Sequence, residues 1–376
     1  MQISKPTTFL SCFFLAAVLI TSAANGQSKT ITNPHHPAQP DSVDEMIRVT
    51  LVAEFGGDDA PTEALISGPA GVAMAANGNV YIVDAMANQI KMFTAEGTFL
   101  KTIGSPGEGP GEFSRPYAFF TDGTTYLYVQ DNNNTETERF LLDGTFVDKH
   151  TMSELGLRQP NLVGVLAPSK LVYAQSVRGT YGLDITIVDT SKDWEVSSTF
   201  VYSNWAPGDL SQSMAIPAEV TVAENKIIVA HPFRYEYRIH DESGSVLAEM
   251  KRDFEGLIPP YAGKFREMEV VRFFSNLLNP IRLNEDLWLG RAIWPTNLES
   301  PKAFFDAIAA GSPPKLIDDS TWDLFDADWN LKYSLSRKQI LSVVGGRGTI
   351  GTDGQGHIFV ISETGSVLKY KIDVLD

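Results

Sequence analysis

The sequence predicts an all-β protein: a six-bladed β-propeller of four-stranded antiparallel blades, closed by an N-terminal strand that completes the last blade, with two short helical insertions. Three observations carry this. Short β-rich runs are separated by Asn-Gly, Glu-Gly and Asp-Gly pairs, which are hairpin signals. The unit of four runs recurs at a spacing of about 45 residues, the period of a propeller blade. The last unit runs out of chain one strand short, and an unassigned strand, Arg48 to Phe55, precedes the first. Pairing the two ends would close the ring and remove the open edges on which sheets aggregate.

Taken in order, residues 1–26 read as a secretory signal peptide. Lys5 is the sole charge, Phe9 to Ile20 form an apolar core, and small residues follow from Thr21 to Gly26. The apolar run is too short to span a bilayer as a helix. The single cysteine, Cys12, lies inside it, so the mature chain has no disulfide and its core must hold it together. Residues 27–45 are polar and Pro-rich with no periodicity, and are expected to be a disordered linker. The pair His35-His36 within them reads as linker rather than metal site. The propeller is expected over residues 46–376.

Blade one has runs at Val72–Ala75, Val80–Val83, Gln89–Phe93 and Thr98–Ile103, with turns at Asn77-Gly78 and Glu96-Gly97. Blade two spans Pro116 to His150, and its Asp143-Gly144 corresponds to Glu96-Gly97. Blades three (Asn161 to Val201), four (Glu219 to Phe254) and five (Asn279 to Lys338) follow from strand alternation. Blade six starts at Arg347. Two stretches interrupt the pattern. Leu257 to Leu278 shows helical spacing from Tyr261 to Phe274 after Pro259-Pro260, and PKAFFDAIAAG has Pro301 near its start and Gly311 after its end. Both read as short helices.

The formal charge of −16 disfavours phosphate backbones and anionic lipid, so neither nucleic acid nor a membrane surface is an expected partner. It suits solubility, or a divalent cation such as Ca²⁺. The chain is expected to be exported, periplasmic or secreted, and monomeric.

With strands a to d numbered from the axis outward, the b–c and d–a connections emerge on one face, and both insertions fall there. The b-strand ends place Asp84, Asp131, Gln175, His231, Arg291 and Glu363 on it. The d–a entries add Arg115, Tyr117, Asn161, Glu219, Asn279 and Arg347. Such a mixture of acids, bases and amides can grip a polar ligand or a metal. Asp84 also fits a turn-capping role, bonded to local backbone N–H groups. Asp131 opens the oxygen-rich stretch DNNNTETE, which lacks the spacing of a helix-loop-helix calcium site. Trp322 and Trp329 read as core aromatics. The Gly-rich SPGEGPGEF lacks the Lys-Ser/Thr of a phosphate loop and reads as an interblade link. No nucleophile elbow, zincin motif or Cys nucleophile is present.

The stretch Pro69 to Pro116, with its Pro-x-Gly-Val start, Gly-Asn-Val-Tyr-Ile strand ending in Asp, and Pro-Gly-Glu-Phe link, resembles the NHL-type repeat of six-bladed propellers. The pattern recurs in weaker form at Gly351 to Ser362, and blades three to five depart from it. The wider family includes exported bacterial propellers of unknown function, scaffolds for protein or RNA, and some lyases and lactonases. The resemblance therefore implies the fold and not an activity. Zinc-dependent lyase propellers need several histidines round the axis, and here only His231 is placed for that. The expected function is non-catalytic binding of a protein partner or polar small molecule. The alternative is a metal-dependent hydrolase or lyase of the lactonase-like type, in which Glu219, Asn161, Asn279, Asp84 and Asp131 would supply the Glu, Asn and Asp ligands.

Overall fold

A computed structural model describes residues 28–131, 135–176, 182–202, 219–231, 234–258, 261–265, 268–272, 274–346 and 348–375. The signal-peptide expectation and Arg347 lie outside these residues.

Six four-stranded antiparallel blades form the ring. Blade one comprises Pro69–Met74, Val80–Asp84, Gln89–Phe93 and Phe99–Ile103, in order from the axis. Gly78, Gly97 and the blade-two Gly144 sit at φ of 86°, 95° and 84°, the left-handed region their turns require. Blades two to five begin on the axial strands Ala118–Thr121, Asn161–Leu166, Glu219–Ala223 and Asn276–Arg282. Blade six contributes Gly348–Thr352, His357–Ile361 and Val367–Val374, and the N-terminal strand Ile47–Phe55 pairs antiparallel with the last of these. The closure expected from the sequence is therefore present.

Because side chains alternate across a strand, each blade packs both faces against its neighbours. In blade one Val80 and Ile82 join the core shared with blade six, whereas Tyr81 and Val83 join the core shared with blade two. One apolar cluster fills each of the six interfaces between adjacent blades. Buried tyrosine hydroxyls bridge neighbouring blades. Tyr81 donates to the Leu142 carbonyl at 2.8 Å, and Tyr173 donates to Thr137 at 3.0 Å. The link SPGEGPGEF folds as a small ribbon, Ser105–Pro106 beside Glu112–Phe113.

Two expectations are corrected. The segment expected to be a disordered linker is ordered against the ring. Lys29–Asn33 adds as a parallel fifth strand to the outer strand of blade four, Val246–Arg252. Asn33 then exchanges hydrogen bonds with the Trp329 carbonyl and Leu331 N–H, and Gln39 does the same with both backbone groups of Ser334. An open strand edge offers backbone partners that hydropathy patterning does not register. The stretch read as a helix at Leu257 to Leu278 is a β-hairpin, Tyr261–Phe265 against Met268–Arg272. Short apolar runs satisfy either period, and pairing decides between them.

The second insertion is helical as expected: α1, Pro301–Ala309, is capped by the Ser300 hydroxyl, with Pro at its first turn and Gly311 beyond its end. It meets the hairpin side on. Tyr261 and Phe305 stack at 5.2 Å, and Arg272 lies 4.4 Å over the Phe304 ring. A further helix, α2 (Arg337–Val343), joins blade five to blade six and opens on a capping box between Ser336 and Gln339. All three elements belong to b–c or d–a connections and so gather on one face.

Candidate functional site

On that face the aspartates at the ends of the first two b strands have the same local role. Asp84 accepts from the backbone N–H groups of Ser67, Gly68 and Ala87 at 2.8, 2.9 and 3.1 Å. Asp131 accepts from Ser114 and Arg115 at 2.8 and 2.6 Å. Both carboxylates are buried. They cap the incoming connection of their own blade, and their oxygens face backbone rather than the channel.

Nearer the axis the predicted residues form two polar groups. The Tyr117 hydroxyl lies 2.9 Å from Gln130 Oε1 and 3.0 Å from Asn161 Oδ1, and Gln130 in turn bonds the backbone of Pro160 and Leu162. Burial raises the Tyr117 pKa far above the usual phenol range, so it is a neutral hydrogen-bonding group. Across the ring, Asn279 donates its amide to Glu219 Oε2 at 2.9 Å, joining the axial strands of blades four and five. Burial raises the Glu219 pKa, opposed by the Arg291 charge. Asn279 Oδ1 is buried and has no hydrogen-bond partner among the described residues.

The remaining calls scatter. Gln175 accepts from Arg158 N–H at 3.1 Å beside a second cleft, between blades two and three. His231 is 4% exposed, and burial with the Arg234 and Arg238 charges pushes its pKa down to about 2. It is therefore a neutral ring. Arg115 is exposed at the rim. Beside Asp131, the Glu136 and Glu138 carboxylates share the Lys149 ammonium, at 3.3 and 3.8 Å. Burial pushes Glu138 up to about 7.

A cleft of about 660 Å³ lies between blades five and six on the insertion-bearing face. Arg291 and Glu363, both predicted, line it with Thr349. So do residues that the sequence reading missed: Asp318, Asp319, Trp322, Arg337, Ile340 and Leu341. Trp329 is a core residue, stacked on Trp288 at 4.6 Å, but Trp322 is half-buried and faces the cleft. The α2 wall carries a legible signal, the Ser-x-x-Gln capping box ahead of an apolar run. Arg337 is fixed at the mouth by donating to the Asp318 carbonyl at 2.6 Å. Asp318 also borders the neighbouring cleft between the hairpin and α1.

A model of a family described as a six-bladed beta-propeller, DUF5128, matches residues 59–155, which span blades one and two. A candidate exported protein from Bacteroides fragilis superposes with a TM-score of 0.59 at 10% identity, over 93% of this chain and 100% of that one. A DUF4221 family member from Bacteroides vulgatus superposes with a TM-score of 0.60 at 11% identity, over 88% and 99% of the two chains. A virginiamycin B lyase from Staphylococcus aureus reaches a TM-score of 0.46 at 13% identity, covering 86% and 99%. At these identities the likeness to the two Bacteroides structures shows the fold alone. No curated protein sequence matches the chain.

Proposed function

We propose that the protein is an exported binding module, in the manner of NHL-type propellers, whose ligand is a polar small molecule or a segment of a protein partner held in the cleft between blades five and six. The observation that carries this is the composition of the cleft. It has the volume of a small-molecule site and pairs apolar walls, Ile293, Trp322 and Ile340, with a few charged groups from three chain segments. It also sits where both insertions and α2 emerge, so segments beyond the blade repeat frame it. Export is supported by the signal-like leader, and no helix among the described residues is long and apolar enough to cross a membrane.

The geometry lends less to the lactonase-like reading. Asp84 and Asp131 are engaged by backbone N–H groups, Asn161 lies beside Tyr117, and Glu219 and Asn279 bond each other. A shared divalent ion needs its ligand atoms about 2.0–2.6 Å from one point.

The test is a small-molecule screen by thermal shift on the mature chain, with Trp322 fluorescence as the second readout. Hits should protect the wild-type protein and fail against Leu341→Asp, which places a charge at the mouth of the cleft. Hits that protect both proteins equally would place the binding site elsewhere.

A further inference from the structure

We infer that the ligand of this cleft carries a carboxylate, received by Arg291. The inference rests on the cleft being the binding site. Arg291 lies on the second strand of blade five, Leu287–Pro295, with Leu278 and Trp322 as its register partners. Arg291 lines the cleft. Its Nε is shut off from water and makes no hydrogen bond, and among the described residues no carboxylate lies within ion-pair distance of the side chain. Burying a cation without a partner is costly, and natural structures pair such groups. Glu219 acts on Arg291 through the longer-range field, and its Oε2 accepts from the Asn279 amide. Thr349 lines the same cleft, and its hydroxyl is also buried and, among the described residues, unpartnered.

Arg291 and Thr349 thus line one cleft, and among the described residues neither the Arg291 Nε nor the Thr349 hydroxyl has an acceptor. That is the complement of a carboxylate, which can accept from both at once. Asp318, Asp319 and Glu363 also line the cleft, and they would oppose an anion. Asp318 and Glu363 are exposed at the mouth, where solvent screens them, whereas Arg291 is half-buried with its Nε shut off from water. The same three acids weigh against a doubly charged phosphate. The apolar walls, Ile293, Trp322, Ile340 and Val344, would cover a hydrocarbon or aromatic body. The ligand class is thus a small amphiphilic monocarboxylic acid.

The experiment compares three probes of one shape, 3-phenylpropionate, 3-phenylpropanol and 3-phenylpropylamine, by calorimetry and ligand-observed NMR. The proteins are wild type, Arg291→Gln, Thr349→Val and Leu341→Asp, each checked for folding by its thermal transition. The expected result is that the acid binds wild type at least tenfold more tightly than the alcohol or amine. Arg291→Gln should erase that preference and leave alcohol binding unchanged. Thr349→Val should weaken the acid a few-fold, and it keeps the test open should Arg291→Gln not fold. If the alcohol or amine binds as well as the acid, or Arg291→Gln binds the acid normally, the carboxylate inference is wrong. The cleft reading then stands provided Leu341→Asp abolishes what binding there is. If no probe binds wild type, both readings fall.

Discussion

Two arginines in neighbouring blades show how differently this fold treats the same charge. Arg252, at the end of blade four's outer strand, is fully enclosed and fully engaged. It pairs with Asp323 at 2.5 Å, donates to the His35 carbonyl at 2.6 Å and to Ser334 at 3.1 Å, and lies over the Tyr235 and Phe254 rings. Among the described residues, Arg291 has neither an ion pair nor a hydrogen bond at Nε. Arg252 ties the N-terminal segment to blades four and five, and every donor it spends there is unavailable for a ligand. Arg291 retains its donors where a cleft gives access to them. Burial alone therefore does not distinguish the two charges; the groups packed beside each guanidinium do.

The sharpest test of this contrast removes the partner from the satisfied arginine. Asp323→Ala strands the Arg252 guanidinium and should cost about 3–5 kcal/mol in urea unfolding, whereas Arg252→Met with Asp323→Leu should recover much of that loss. An unchanged midpoint in the single variant would mean that water reaches Arg252 in solution.

Glu138 extends the comparison to a buried acid. Burial raises its pKa to about 7 from 4.5, against the Gly111 N–H and the Lys149 charge, which lower it. Between those pH values the folded state keeps a proton that the unfolded chain has released. Stability should therefore fall as pH rises through that window, by at most about 1.4 kcal/mol per unit. The measurement is the difference in stability between wild type and Glu138→Gln across pH 4.5–8. The variant should lose this slope and gain on wild type as the pH rises.

Asp84→Ala removes the acceptor of three backbone N–H groups and should cost about 2 kcal/mol, with Asp84→Asn intermediate. Neither should alter ligand binding, since the carboxylate is a cap; altered affinity with unchanged stability would reverse that assignment. The smallest change is expected at Arg291. Arg291→Met removes an uncompensated charge, so the unfolding midpoint should stay level or rise by about 1 kcal/mol in stability. A loss of several kcal/mol would show that Arg291 has a structural partner after all, and the contrast with Arg252 would dissolve.

The blade frame could be read in the chain because each of its signals is local. The X-Gly pairs demand positive φ at Gly78, Gly97 and Gly144, and strand alternation sorts Val80 and Ile82 from Tyr81 and Val83 onto two interfaces. Asp84 as a cap is equally local, since its acceptors reach the connection that enters its own blade. The hairpin at 261–272 was not readable in this way, because its apolar spacing fits a helix and only cross-strand pairing resolves it. The strap at Lys29–Asn33 has no periodic signal at all, and its order comes from an edge more than two hundred residues away in the chain.

The candidate site divides along the same line. That Arg291 and Glu363 belong to the insertion-bearing face follows from counting strands, because blade direction alternates. That Arg291 lacks a partner while Arg252 has several does not follow from any local pattern. It depends on which distant groups arrive beside each guanidinium: Asp323 and the N-terminal strap for one, the open wall of α2 for the other. Sequence period sets secondary structure and ring closure through short-range sterics and hydrogen bonding. Only the packed tertiary structure decides which buried charges are left for a ligand, because an unmet donor is a property of its surroundings.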